Sequence, residues 1–210
     1  MTTPRRALIV IDVQNEYVTG DLPIEYPDVQ TSLANIGRAI DAARAADVPV
    51  VVVQHLSTPT SPLFARGSAG AELHSVVASR PHDHLVEKSQ ASSFAGTDLA
   101  DWLAARNIDT LTVTGYMTHN CDASTTNHAY HMGLAVEFLH DATGSVPYEN
   151  SAGFASAKDI HHAFSVVLQS NFAAVASTDE WLAALKNGTA LQKDNIYASN
   201  QKARARRGAA

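Results

Sequence analysis

Short apolar runs and longer helical stripes follow one another in a regular order along this chain. Ala7–Val13 is an almost unbroken series of Leu, Ile and Val, closed by Gln14 and Asn15. Such a run predicts a strand buried on both faces. Val29–Asp47 carries Leu33, Ile36, Ile40 and Ala43 at the spacing of a helix. Pro49–Gln54, nearly all Val, predicts a second strand, and Ser57–Gly70, rich in Ser, Thr, Pro and Gly, predicts a loop. A short helix over Ala71–Ala78 and a short strand over Leu85–Glu87 come next. Thr97–Arg106 predicts a helix with Thr97 as its N-cap and Leu99, Trp102 and Leu103 on one face. Thr110–Thr114 predicts a strand stopped by Gly115, Asp122–Met132 a helix ended by Gly133, and Leu134–Leu139 a strand. Ala155–Ser170 predicts a helix with Ile160, Ala163, Phe164, Val167 and Leu168 inward, followed by a strand over Phe172–Ala176. Thr178, with Asp179 and Glu180 after it, is placed to cap a last helix through Leu185.

Strand and helix thus alternate about six times, which predicts a parallel sheet with helices on both faces. The chain shows no internal repeat and no second domain. It divides into a body, residues 1–188, and an extension, residues 189–210. In open sheets of this kind ligands bind beyond the carboxyl ends of the strands, near the point where strand order reverses. Residues that directly follow strands are therefore the first place to look for chemistry.

Charge sharpens the division. The chain of 210 residues has a formal net charge of −6. The extension holds five basic residues and one acid, so the body holds 10 basic and 20 acidic residues. An acidic body argues against nucleic acid as the main partner. Gln201–Ala210 is the one segment suited to an anionic partner, and a solvated or oligomer-docking tail is its plainer reading. A single cysteine excludes an intramolecular disulfide and fits a reducing, cytoplasmic setting. No apolar run approaches the ~20 residues needed to cross a bilayer, and Ala7–Ile11 is too short for a signal core. No membrane partner is expected.

Three reactive side chains follow strands. Asp12 closes the first, Lys88 follows Leu85–Glu87, and Cys121 comes a short loop after Thr110–Thr114. In a parallel sheet all three project from the same edge. A free thiol is only a few per cent ionised at neutral pH. A helix N-terminus and a nearby ammonium both favour the anion, whereas a carboxylate alone opposes it but can accept the proton. Cys121, Lys88 and Asp12 together are therefore expected to form an activated nucleophile with an electrostatic partner and a base. Alone, each residue has an ordinary reading: a small apolar core residue, a turn, a solvated lysine. Their shared placement points to a site.

The segments Asp12-Val13-Gln14-Asn15, Glu87-Lys88 through Ser93-Phe94-Ala95-Gly96-Thr97-Asp98-Leu99, and Thr114-Gly115-Tyr116-Met117-Thr118-His119-Asn120-Cys121 resemble the isochorismatase-like cysteine hydrolase superfamily. The resemblance runs from about Ala7 to Leu185, with the motifs in the superfamily's order. It implies a Rossmann-like three-layer αβα sandwich around a six-stranded parallel sheet. It implies a catalytic triad of Asp12, Lys88 and Cys121, and a cis peptide bond at Tyr116–Met117. It also implies an oxyanion hole from the backbone N–H groups of Met117 and Cys121, and a homo-oligomer, dimer or tetramer.

Within the superfamily, nicotinamidase-like members carry an Asp-x-His metal frame after the second strand, where this chain has Val53-Gln54-His55-Leu56-Ser57. No metal and no cofactor are expected. True isochorismatases lack the nucleophilic cysteine, so Cys121 favours hydrolysis of a C–N bond in a small amide, ureido or carbamoyl substrate. The expected pocket residues are Gln14, Tyr17, His55, Phe94, Tyr116, His119 and Asn120, with core packing the alternative for Tyr17 and Phe94. An Arg often found early in the following helix is replaced by Thr125-Thr126-Asn127-His128, which argues against a clamped carboxylate. The competing functions are a vinyl-ether hydrolase, distinguished by pyruvate release, and a thiol redox or binding protein, distinguished by alkylation without turnover.

Overall fold

The computed structural model describes residues 3–208. Residues 1–2 and 209–210, the outer ends of the two predicted segments, lie outside the described residues. Six strands form one parallel sheet: β1 (Arg6–Ile11), β2 (Val50–His55), β3 (His84–Lys88), β4 (Thr110–Tyr116), β5 (Ala135–Gly144) and, after a two-stranded hairpin of β6 (Tyr148–Asn150) and β7 (Gly153–Ala155), β8 (Ala174–Ala176). Their order is β3-β2-β1-β4-β5-β8. The chain builds outward from β1 to β3, returns to lay β4 on the other side of β1, and builds outward again. The order therefore reverses between β1 and β4, where Asp12 and the turn carrying Cys121 emerge. The helices are α1 (Val29–Ala45), α2 (Ser75–Ala78), α3 (Leu99–Ala105), α4 (Ala123–His131), α5 (Ala157–Asn171), α6 (Thr178–Asn187) and α7 (Ile196–Gly208).

The predicted doubly covered sheet has a direct signature in β1, buried at all six positions. Leu8 and Val10 join one apolar layer with Leu33, Ile36 and Ile40 of α1 and Trp181 of α6. Ala7, Ile9 and Ile11 join the opposite layer with Leu99 and Leu103 of α3, Ala129 of α4 and Leu168 of α5. Alternation along a strand thus serves two cores, one per face. At the amino edge, Arg6 donates to both carboxylate oxygens of Glu137 at 2.9 and 2.8 Å. The same carboxylate accepts from Thr112 and from the Trp181 indole, each at 3.0 Å. This interior pair is fully hydrogen-bonded, as a buried charge must be.

Several local expectations shift. The α6 cap is Ser177, whose hydroxyl accepts from the Glu180 amide while Glu180 accepts from the Ser177 amide. Thr178 instead donates twice to Asp141. Asp98, not Thr97, stands at the N-cap of α3, and Thr97 donates to the Ser93 carbonyl. The helix expected over Ala71–Ala78 is reduced to Ser75–Ala78. Strand β5 runs on past Leu139 to Gly144, because a register shift on β4 lets Thr143 and Gly144 pair with Gly115 and Tyr116. The basic extension contains α7, largely exposed, with Lys202 paired to Asp194. No helix among the described residues is long and apolar enough to cross a membrane.

Candidate active site

Asp12, Lys88 and Cys121 meet at the carboxyl edge of the sheet. Asp12 leaves β1 with φ of 52°, the left-handed conformation that short polar residues tolerate best. Lys88 is the last residue of β3 rather than the one after it. Cys121 lies in a single π-helical turn, Thr118–Asp122, between β4 and α4. The Lys88 ammonium donates to Asp12 Oδ2 at 2.6 Å and to Cys121 Sγ at 3.3 Å, and Nδ1 of His55 lies 3.3 Å away. The Asp12 and Lys88 side chains are completely buried, and Cys121 retains 5% exposure. Asp12 Oδ1 has no nitrogen or oxygen donor among the described residues, and the Cys121 thiol is the hydrogen-bonding group left to this carboxylate besides Lys88.

Of the opposing influences on the sulfur, those against ionisation win: the Cys121 thiol is held well above its ordinary range, by burial first and by the Asp12 carboxylate second. Lys88 opposes this, yet its charge is shared with Asp12. Burial also raises the Asp12 carboxyl above the usual carboxylate range, against the pull of Lys88. On Lys88 burial works against the ammonium, but Asp12 and Cys121 outweigh it and the net shift is upward. A resting thiol beside a carboxylate is an arrangement for moving a proton during attack, not for storing a thiolate beforehand.

The expected pocket residues divide. His55 touches Lys88, and its ring packs edge-on against Phe64. His119 and Asn120 flank the thiol in the π-helical turn. Asn120 is exposed, whereas His119 is held by Ser145 at 3.1 Å and by the Tyr148 hydroxyl at 3.0 Å. Burial lowers His119 to about 4, which keeps it neutral near pH 7. Phe94 packs on His128 and belongs to the apolar layer that includes Cys121. The polar groups of Gln14 and Tyr116 are engaged by the scaffold. The Gln14 amide donates to the carbonyls of His55 and Ala71 and accepts from the His55 amide, tying β1 to β2. Tyr116, wholly buried, shares a 2.7 Å hydrogen bond with Ser32 of α1. The Tyr17 ring packs on Phe64 and Tyr116 in the core, the alternative weighed for it. The Tyr116–Met117 peptide bond is cis.

Two residues absent from the sequence reading stand at the site. Tyr148 reaches it from the β6–β7 hairpin, whose strands are too short to leave a periodic signal. Asp122, next to the thiol, has the local pattern of a helix start, and nothing in the sequence marks it as buried. A cavity of about 440 Å³ is lined by Leu56, Arg66, Glu87 and Lys88 but by neither Asp12 nor Cys121, and the Lys88 side chain itself is buried. A larger one, about 740 Å³, lies between α5 and α7 and includes none of the three reactive groups.

A doubly wound sheet with a carboxylate, an ammonium and a thiol gathered at its reversal point defines an α/β protein whose candidate site lies at the carboxyl edge of the strands. The chain belongs to the isochorismatase family, whose domain model, Isochorismatase domain, matches residues 6–187. It is 32% identical to the ureidoacrylate amidohydrolase RutB of Stutzerimonas stutzeri, over 68% of this chain and 71% of that protein. It is 32% identical to the secreted isochorismatase effector Isc1 of Verticillium dahliae, over 68% of this chain and 74% of that protein. A solved Burkholderia xenovorans LB400 structure, given provisionally as an isochorismatase, is 80% identical with a TM-score of 0.98, covering 99% of this chain and 100% of its own.

Proposed function

We propose that this protein hydrolyses a C–N bond in a small amide, ureido or carbamoyl compound through a thioester on Cys121. The observation that carries this reading is the single ammonium of Lys88 within hydrogen-bonding distance of both Asp12 and Cys121. Asp12 takes the thiol proton as the sulfur attacks the carbonyl carbon, and Lys88 steadies the negative charge as it moves from oxygen to sulfur. Backbone N–H groups of Met117 and Cys121 hold the oxyanion. Asp12 then gives its proton to the departing nitrogen, the C–N bond breaks, and the acyl group remains on sulfur. Asp12 next draws a proton from water, which attacks the thioester carbonyl, releasing the acid and restoring the thiol. The amidohydrolase among the relatives supports the bond type, and the near-complete burial of the three groups favours a small substrate.

The test is an ammonia-release screen over amides, ureides and carbamoyl amines, run beside Cys121→Ala. Ammonia release by the native chain and none by the variant is expected. Equal release by both proteins would overturn the proposal.

A further inference from the structure

Asp122 has no role in the mechanism above, yet it is the residue next to the nucleophile. It is completely buried, and neither of its carboxyl oxygens has a hydrogen-bond partner among the described residues. Thr126, one helical turn further along, also buries an unpartnered hydroxyl oxygen. An ionised carboxylate sealed without a donor is strongly disfavoured. The surrounding charges add to that cost. Asp12 faces it from the end of β1 and repels a second negative charge, while Lys88 of β3 already serves Asp12 and the sulfur. Burial and Asp12 together hold the Asp122 carboxyl well above the usual range.

We propose that Asp122 is a positioning residue for the thiol: as a neutral acid it leaves the Lys88 ammonium to Asp12 and the sulfur alone, and a negative charge there withdraws the sulfur from reaction. With Asp12 ionised and Lys88 protonated, the cluster is neutral, and a thiolate adds one uncompensated charge. A second carboxylate beneath it would add another, with no further cation in contact. The remaining titratable groups around this turn do not supply one. His55 lies on the β2 side, and burial and Lys88 keep it neutral. On α5, His161 accepts from or donates to Thr118, and burial lowers it to about 4. His140 of β5 stands behind His161. Tyr17 and Tyr116 face Asp122, Tyr148 faces Cys121, and burial raises all three phenols. His119, within the turn, is likewise neutral near pH 7.

The inference rests on Cys121 being the reacting group, but its test needs no amide substrate, so it can fail or stand apart from the proposed activity. Iodoacetamide alkylation of Cys121, the one cysteine, is followed from about pH 6 to about pH 10 in the native chain and in Asp122→Asn. Near pH 7 the two rates are expected to agree within about twofold. At higher pH the variant is expected to be at least about threefold faster, because the native carboxyl ionises and holds the thiol proton on. A variant several-fold faster already near pH 6, or one identical to the native chain at every pH, would overturn the proposal. A purely structural role would not move this pH dependence. Should Asp122→Asn not fold, the infrared spectrum of the native protein decides. A protonated-carboxyl band that persists in Asp12→Asn and disappears on alkalinisation is expected, and its absence at neutral pH refutes the assignment.

Discussion

Gly115 of β4 lies directly against Ile11 of β1: a Cβ on Gly115 would stand 2.0 Å from the Ile11 carbonyl oxygen. The two residues are register partners at the place where strand order reverses. With φ of 119°, Gly115 also holds a backbone conformation that side chains rarely adopt. This contact lets β4 deliver the cysteine turn beside Asp12. Gly115→Ala is expected to cost on the order of 1–3 kcal/mol from the backbone alone, with steric displacement of β4 added. Thermal denaturation and Cys121 alkylation check it, and a variant native in both would refute the requirement.

Replacing the proposed nucleophile separates chemistry from folding. Cys121→Ala is expected to lower turnover by on the order of 10⁴-fold or more while changing the melting temperature little, since the thiol makes no neutral hydrogen bond that holds the fold. Turnover and circular dichroism on one preparation decide.

Lys88 and Asp12 form a buried pair, so removing one partner strands the other. Lys88→Met is expected to destabilise by about 3–5 kcal/mol and to abolish activity. The double variant Asp12→Asn with Lys88→Met is expected to recover much of that stability and none of the activity. Urea denaturation of the three proteins gives the coupling. Additive losses would contradict it.

The pair at the amino edge behaves differently. Glu137→Ala leaves Arg6 charged and buried and removes the acceptor for Thr112 and Trp181. A loss of about 3–5 kcal/mol is expected, with kcat/KM of the folded protein unchanged. A proportionate fall in kcat/KM would show that this edge reaches the active site.

Acid sensitivity follows from His161. Burial lowers it to about 4, against an ordinary value of 6.5. Between these values the unfolded chain binds a proton that the folded chain does not. Stability therefore falls as pH drops through 6.5 and levels off below about 4, by about 3 kcal/mol from this residue. Melting temperatures from neutral pH to about pH 4.5 should fall less steeply in His161→Gln. Parallel curves would assign the acid limb elsewhere.

The parts of this fold that the sequence makes legible share one cause. Strands covered on both faces appear as nearly continuous apolar runs, as in Ala7–Ile11 and Val50–Val53, so the sheet and the residues at its carboxyl edge can be located without coordinates. The hairpin leaves no such trace. Tyr148 and Phe154 are exposed aromatics on three-residue strands, and Tyr148 reaches the site only through its tertiary contact with His119. Helix α7 lacks an apolar stripe, so it reads as solvated tail. The second half of β5 begins with His140 and Asp141, polar residues that end a strand by local rules but here pass a register shift. The hydrogen-bond partners of Gln14 and Tyr116 are hidden in the sequence for a different reason. Proximity in sequence to reactive groups does not fix side-chain direction, and both turn toward neighbouring elements that sequence spacing does not identify.

The two interior ion pairs stand at opposite rims of one sheet, Arg6–Glu137 where the strands begin and Asp12–Lys88 where they finish. Each rim of the sheet is thereby pinned by its own buried charge pair. Ser57–Gly70 and the β6–β7 hairpin both leave the sheet at the rim of Asp12 and Lys88, on the side away from Arg6–Glu137.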